Sequence, residues 1–307
     1  MARRSFDWKS VTEQIKKQDK PKSFGGGDDD LFKPQVNKEG NAMILMRFLP
    51  PHLDEELPFV KKYSHGFQGP NGWFIEDCPT SIGEKCPVCT FNSSIWDSDE
   101  QRARNQKRKL SLYANVMILK DENNPENNGK IFKYRYGIKI HEKIMEKIAP
   151  ESSIDDPIQV FDYESGANFK LKVKTVKSGA RSYPNYDSSS FAEPSALSIN
   201  GSVLSDAELD EVDAKLLRLQ PLVEKKNFKS YKDLAIKLSS KIGEVIPIEP
   251  GGYQKPAPKV EASIPEAPEA PSESFSESTS QSNDNGFLND DDENDDDFFK
   301  KLKGDED

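Results

Sequence analysis

Cysteine, histidine and tryptophan are scarce in this chain of 307 residues, three of each. No apolar run approaches the roughly 20 residues that a membrane-spanning helix requires. The opening, MARRSFDWKSV, lacks the apolar segment of a secretory signal. Three cysteines cannot form a fully paired disulfide framework, and an odd number suits a reducing compartment, so the cytoplasm is the expected location. No Gly-Lys-Ser/Thr phosphate loop is present. Apolar residues make up 34% and charged residues 31%, too polar for a chain folded uniformly along its length. The polarity must therefore be concentrated somewhere.

It is concentrated by sign. The net charge is −10, yet residues 251–307 hold 16 acids against 5 bases, so the first 250 residues carry 37 acids and 38 bases. Within them, residues 101–147 hold 12 bases against 5 acids. A basic middle and an acidic end on one chain point to a polyanionic ligand and a competing tail.

All three cysteines fall in one stretch with the spacing His65-x12-Cys78-x7-Cys86-x2-Cys89. A Cys-x2-Cys turn can aim both sulfurs at one ion, and a third thiolate with an imidazole completes a tetrahedral zinc shell. Four protein ligands leave no position for water, so the zinc would be structural. His52 and His141 are the alternative imidazoles, but only His65 lies at finger-like distance. The alternative of a redox pair needs a βαβ setting that these glycines and prolines do not offer. The same composition predicts a unit (62–92) with too little apolar surface to fold without its metal.

In chain order, residues 1–20 read as a basic arm entering a short helix with a capping box at Ser10 and Glu13, followed by a hinge of three glycines and three aspartates. Strands are expected at 41–49, 109–120, 130–136, 158–163 and 167–176, with a hairpin over 121–129 and a helix over 140–148. Phe169, Leu171 and Val173 alternate with Lys170, Lys172 and Lys174, one buried face against one cationic face. Two capped helices follow, one from Ser205 with the stripe Leu209, Val212, Leu216 and Leu219, the other from Ser230 to Gly243. This pattern predicts a mainly β, α+β fold. Its parts are an oligonucleotide/oligosaccharide-binding (OB) core over 21–246, an inserted structural-zinc subdomain, flanking helices and a disordered acidic tail over 247–307.

The chemistry of the middle is that of binding. Arg102, Arg104, Lys107, Arg108 and Lys109 precede Tyr113; Tyr134, Arg135 and Tyr136 interleave ring and charge; Tyr183 and Tyr186 follow Arg181. Cations follow phosphates while ring faces stack on unpaired bases, each stack worth about 1–3 kcal/mol whatever the base. Arg47 and Lys139 complete the candidate DNA-binding set. In the tail, residues 290–297 (DDDENDDD) run into Phe298, Phe299 and Leu302, which suggests a docking peptide formed with Asp295, Asp296 and Asp297. A tethered polyanion of this kind is expected to cover the basic groove when it is empty.

Residues 42–50 (AMILMRFLP), His65-Gly66-Phe67, 72–76 (GWFIE), Cys86-Pro-Val-Cys89, 113–143 and 166–174 (GANFKLKVK) stand in one order. In that order the chain resembles the T-even phage single-stranded DNA-binding, helix-destabilising protein family. The resemblance implies an OB core and one zinc held by His65, Cys78, Cys86 and Cys89. It implies a basic arm, here Arg3, Arg4 and Ser5, that mediates cooperative self-association along DNA. It also implies a tail that binds replication, recombination and repair proteins (a polymerase, a helicase loader, a recombination mediator) in the cytoplasm of an infected bacterial host. The chain departs from the family at Leu110, which interrupts the core copy of the arm motif, at Leu112-Tyr113 in place of an aromatic pair, and at His141 in place of a tryptophan. A nucleobase deaminase would need His-x-Glu, where His65 is followed by Gly66 and Phe67, so no enzyme is expected. A zinc-containing RNA-binding or transcription-accessory protein is the alternative.

Overall fold

A computed structural model describes residues 30–152, 154–178 and 181–251. The arm with Arg3, Arg4 and Ser5 and the tail with its Phe298, Phe299 and Leu302 peptide lie outside the described residues. Within them the fold is mixed α+β, with a large sheet and five α-helices. The long strands are β2 (Asn41–Phe48), β3 (Phe59–Gly69), β5 (Lys109–Asp121) and β7 (Ala167–Ser178), with β1 (Leu31–Phe32), β4 (Gly72–Asp77), β6 (Ile131–Tyr136), β8 (Arg181–Asn185) and β9 (Ser190–Pro194) beside them. A separate hairpin joins β10 (Ser198–Ile199) to β11 (Ser202–Val203). The helices are α1 (Pro87–Ile95), α2 (Glu100–Asn105), α3 (Ile138–Ile148), α4 (Asp206–Asp213) and α5 (Tyr231–Ile242). No helix among the described residues is long and apolar enough to cross a membrane.

β5 organises the sheet. One of its edges pairs with β3 over residues 109–114 and with β2 over 116–121, while the other pairs with β6 over 112–117. Its inward residues Leu112, Ala114, Val116 and Ile118 are fully buried. They meet Ile44, Met46 and Phe48 of β2 and Phe169, Leu171 and Val173 of β7 in one core. Phe48 is the hub, its ring 5.6–6.4 Å from those of Tyr134, Tyr136, Phe161, Phe169 and Phe191. Edge and tilted ring pairs add about 0.5–1.5 kcal/mol each beyond their burial, so the sheet curls around this side chain.

That core takes two of the tyrosines expected to meet DNA. Tyr134 and Tyr136 are 3% and 4% exposed and stack on each other inside. The strand period turns them inward and Arg135 outward, so these two assignments are corrected. Arg47 is corrected as well. It is wholly buried, donating to Asn168 Oδ1 and to the carbonyls of Asp162, Tyr163 and Ser195 at 2.7–3.3 Å. It staples the segment after α3 onto the outer face of β2. That segment is not the strand expected at 158–163. The Asp162 carboxylate accepts from the backbone of Glu164 and Ser165, folding the chain into a turn, and those bonds pull its pKa down.

The helix from Ser205 ends at Asp213, and Leu216 and Leu219 pack from irregular chain beyond it. The expected strands 41–49, 109–120, 130–136 and 167–176, the hairpin, α3 and α5 are present within a few residues of their expected limits.

Two predictions follow from this packing. A Cβ on Gly166 would lie 2.3 Å from Asp162 O and 3.0 Å from Arg47 Nη2. Gly166→Ala is therefore expected to cost about 1–3 kcal/mol, read as a fall of several degrees in Tm. His141 is 8% exposed, packs edge-on against Phe59 at 5.2 Å and leaves Nδ1 without a hydrogen-bond partner. Burial first, and Lys61 second, hold its pKa below the usual 6.5. As pH falls below that value the unfolded chain takes up the proton before the folded one. The contribution of a neutral His141 is thus full above about pH 6.5 and is lost below it, at up to about 1.4 kcal/mol per pH unit. Thermal unfolding between about pH 7.5 and 5.5 should show a steeper acid loss for the native protein than for His141→Phe.

Candidate metal centre and cationic face

The residues expected to be an insertion begin as regular sheet. β3 pairs with β5 and then with β4, so His65 is delivered by a strand, opposite Glu76. Cys78 follows β4, and Cys86 is the N-cap of α1, whose Pro87 occupies the first turn. Cys89 lies one turn into α1, so two sulfurs sit at the positive end of a helix, which favours thiolates.

His65, Cys78 and Cys86 are at most 2% exposed. The four ligand atoms lie within 4.8 Å of one another. His65 Nε2 is 3.5 Å from both Cys86 Sγ and Cys89 Sγ, and Cys78 Sγ is 3.6 Å from Cys89 Sγ. A tetrahedron with metal–sulfur bonds of about 2.3 Å and a metal–nitrogen bond of about 2.05 Å has edges of about 3.8 and 3.6 Å, so the cluster fits one such ion.

The protonation pattern fits too. His65 Nδ1–H donates to the carbonyl of Gln106 at 3.0 Å, which leaves the Nε2 lone pair toward the sulfurs. Hydrogen bonds from Cys86 and Cys89 hold the Cys78 thiol well below its usual pKa. The same bonds, with burial, drive Cys86 far above it, and contact with Cys78 pushes Cys89 up to about 12. Alone, the pocket tolerates one thiolate; a cation is what would let all three ionise.

The unit buries more apolar surface than its glycines and prolines suggest. Phe67, Phe74, Val88, Phe91 and Ile95 are buried, and α5 supplies Leu234, Leu238 and Ile242. The part from α5 comes from more than a hundred residues downstream, which local composition cannot reveal. The nearly buried Glu76 carboxylate accepts from Lys229 and from Lys237, and Arg102 pairs with Glu244 at 2.6 Å.

The centre is also wired to the basic segment. Asn92 Nδ2 donates to the same Gln106 carbonyl at 2.9 Å, and Lys107, Arg108 and Lys109 follow directly. Arg108 donates to Thr80 Oγ1 at 2.6 Å, and that hydroxyl lies 3.1 Å from Cys78 Sγ. Its guanidinium is stacked 4.2 Å above the Tyr63 ring. Lys107 and Arg108 are exposed, and Lys109 is half-buried.

On the outer face of the sheet Tyr113 is half-buried. It stands opposite Arg135 of β6, which donates to its hydroxyl, and within the field of Lys62. Burial raises its pKa. Tyr183 and Tyr186 are half-buried on and after β8, and Lys139 pairs with Asp187 at 3.4 Å. The structure thus brings Lys107, Arg108, Lys109, Tyr113 and Arg135 to one end of β5. Lys61, Lys62 and Tyr63 were missed; reading 62–92 as an irregular insertion hid the alternation of FVKKYSHGF that marks β3.

A broad curved sheet, a closed Cys3His cluster and a cationic strand end define a mixed α+β DNA-binding fold. The chain belongs to the gp32-like DNA-binding protein family, whose pattern ("gp32 DNA binding protein like") it matches over residues 38–242. It is 34% identical over 249 residues to a protein of Enterobacteria phage T4 named single-stranded DNA-binding protein, covering 78% of this chain and 80% of that relative. A protein of the same name from Enterobacteria phage T2 is 35% identical over 225 residues, 72% of each chain.

Removing the metal should separate the two cores. A chelator, or Cys89→Ser, is expected to abolish stoichiometric metal binding and to lower Tm. Amide exchange should rise at β3, β4 and α1 while β2 and β7 stay protected. Equal loss of protection in all five would show one undivided core instead.

Proposed function

We propose that this protein binds single-stranded DNA, coating it cooperatively and without strong sequence preference during replication, recombination and repair. The observation that carries the reading is the end of β5. There a cationic segment anchored by the metal cluster adjoins Tyr113 between Arg135 and Lys62, so phosphate and base find their partners within one strand length. The name single-stranded DNA-binding protein carried by its T4 and T2 relatives supports the same reading.

In this reading the curled sheet is an OB-type core over 21–246, and the ion held by His65, Cys78, Cys86 and Cys89 is one structural zinc. A closed four-ligand shell supplies rigidity and leaves no position for chemistry. Lys107, Arg108, Lys109, Arg135 and Lys139 track phosphates, while Tyr113, Tyr183 and Tyr186 offer rings. The arm over 1–20 joins neighbouring copies through Arg3, Arg4 and Ser5. The tail over 247–307 recruits replication and repair proteins in the host cytoplasm through Phe298, Phe299 and Leu302 with their preceding aspartates.

Tyrosine and tryptophan fluorescence during titration with poly(dT) and with duplex DNA, at several salt concentrations, tests the reading. Quenching by poly(dT) that persists at moderate salt, beside weak and steeply salt-sensitive duplex binding, is the expected result. Equal, purely salt-controlled binding to both would reduce the site to a nonspecific basic surface.

A further inference from the structure

β3 carries a second array of rings and cations on the face opposite Tyr113. Strand alternation puts Phe59, Lys61 and Tyr63 on one side, in register with Ala114, Leu112 and Leu110 of β5. One side of Tyr63 packs against the core of Phe67, Phe74 and Phe91, and Phe59 packs against His141 and Phe161, so each ring is held from within. Lys61 is exposed, and Phe59 and Tyr63 are half-buried. Lys61 Nζ lies 5.9 Å from the centre of the Phe59 ring, and the exposed Arg108 guanidinium lies 4.2 Å from that of Tyr63. Among the described residues no carboxylate pairs with Lys61 or Arg108. Two ring–cation pairs thus stand about 13 Å apart along one strand, Lys61 without a carboxylate partner and Arg108 beside the Cys89 thiol.

We propose that Phe59, Lys61, Tyr63 and Arg108 form a second contact track for single-stranded DNA, which passes from the Tyr113 face over the basic segment 107–109 onto β3. The proposal rests on the reading that the protein binds single-stranded DNA. Its occupant follows from the chemistry. Cations without carboxylate partners call for a polyanion. Ring and guanidinium planes presented between them call for unstacked bases, which a duplex keeps inside. Lys61 contacts phosphate, and the Tyr63–Arg108 stack is the platform for a base.

The test compares the full-length native protein with Lys61→Ala, Tyr63→Leu and Tyr63→Phe, by poly(dT) titration at several salt concentrations with metal content and Tm measured alongside. Lys61→Ala should weaken binding and reduce the slope of log affinity against log salt by about 0.7. Tyr63→Leu should weaken binding about tenfold with the slope unchanged, and Tyr63→Phe should restore native affinity. Native affinity and slope in Lys61→Ala would overturn the track while leaving the single-strand reading intact. So would Tyr63→Phe being as weak as Tyr63→Leu. A native protein that binds poly(dT) and duplex alike would instead overturn the underlying reading. Lys61 is exposed, so its variant decides the matter even if Tyr63→Leu fails to fold.

Discussion

Strict alternation along β5 is the constraint on which the rest of this molecule depends. A strand has a period of two, so Leu112, Ala114, Val116 and Ile118 are committed to the core as soon as Tyr113 is committed to the other face. Three strands read their register from β5, and each inherits the division: Arg135 outward and Tyr134 and Tyr136 inward on β6, Arg47 outward and Phe48 inward on β2. A slip of one residue in β5 would turn Tyr113 and Asn115 toward Phe48 in place of Leu112 and Ala114. Core and binding face are therefore one specification, written once.

The metal unit depends on the same strand at its other end. A Gly/Pro-rich stretch carrying four ligands could in principle be tethered loosely, as an appendage. Here His65 lies on a strand hydrogen-bonded to β5 and its imidazole is fixed by the carbonyl of Gln106, three residues before β5 begins. α5 closes the opposite side with an apolar face and with Lys237 on Glu76, which Lys229, just before the helix, also reaches. The unit is thus held from both sides by chain distant in sequence.

Much of this was legible in the sequence because it rests on local periodicity or fixed spacing. The Cys-x2-Cys pair, the alternation of Phe169, Leu171 and Val173, the turn chemistry after Asp121 and the caps at Ser205 and Ser230 each reveal themselves within a dozen residues. What failed to show was decided elsewhere. Arg47 looks like a cation for phosphate until the carbonyls of Asp162, Tyr163 and Ser195 are brought to it. Residues 158–163 carry strand-like apolar residues, but the Asp162 turn competes locally and wins. Tyr134 and Tyr136 share a face in any strand, and which face meets solvent depends on Phe48, nearly ninety residues earlier.

The Cys3His cluster reaches the basic segment through its outer contacts. Cations that meet a flexible polyanion lose least free energy when their positions are settled beforehand, because every long side chain ordered on binding costs entropy. Lys107, Arg108 and Lys109 sit between two anchors, the doubly bonded Gln106 carbonyl on one side and the β5 ladder on the other. Arg108 is further held by Thr80, which touches Cys78. The cluster drawn from residues 65–89 is thereby tied to a segment some twenty residues later. A cation held there would offset the burial of three thiolates, and the order it created would extend outward to side chains that never touch it.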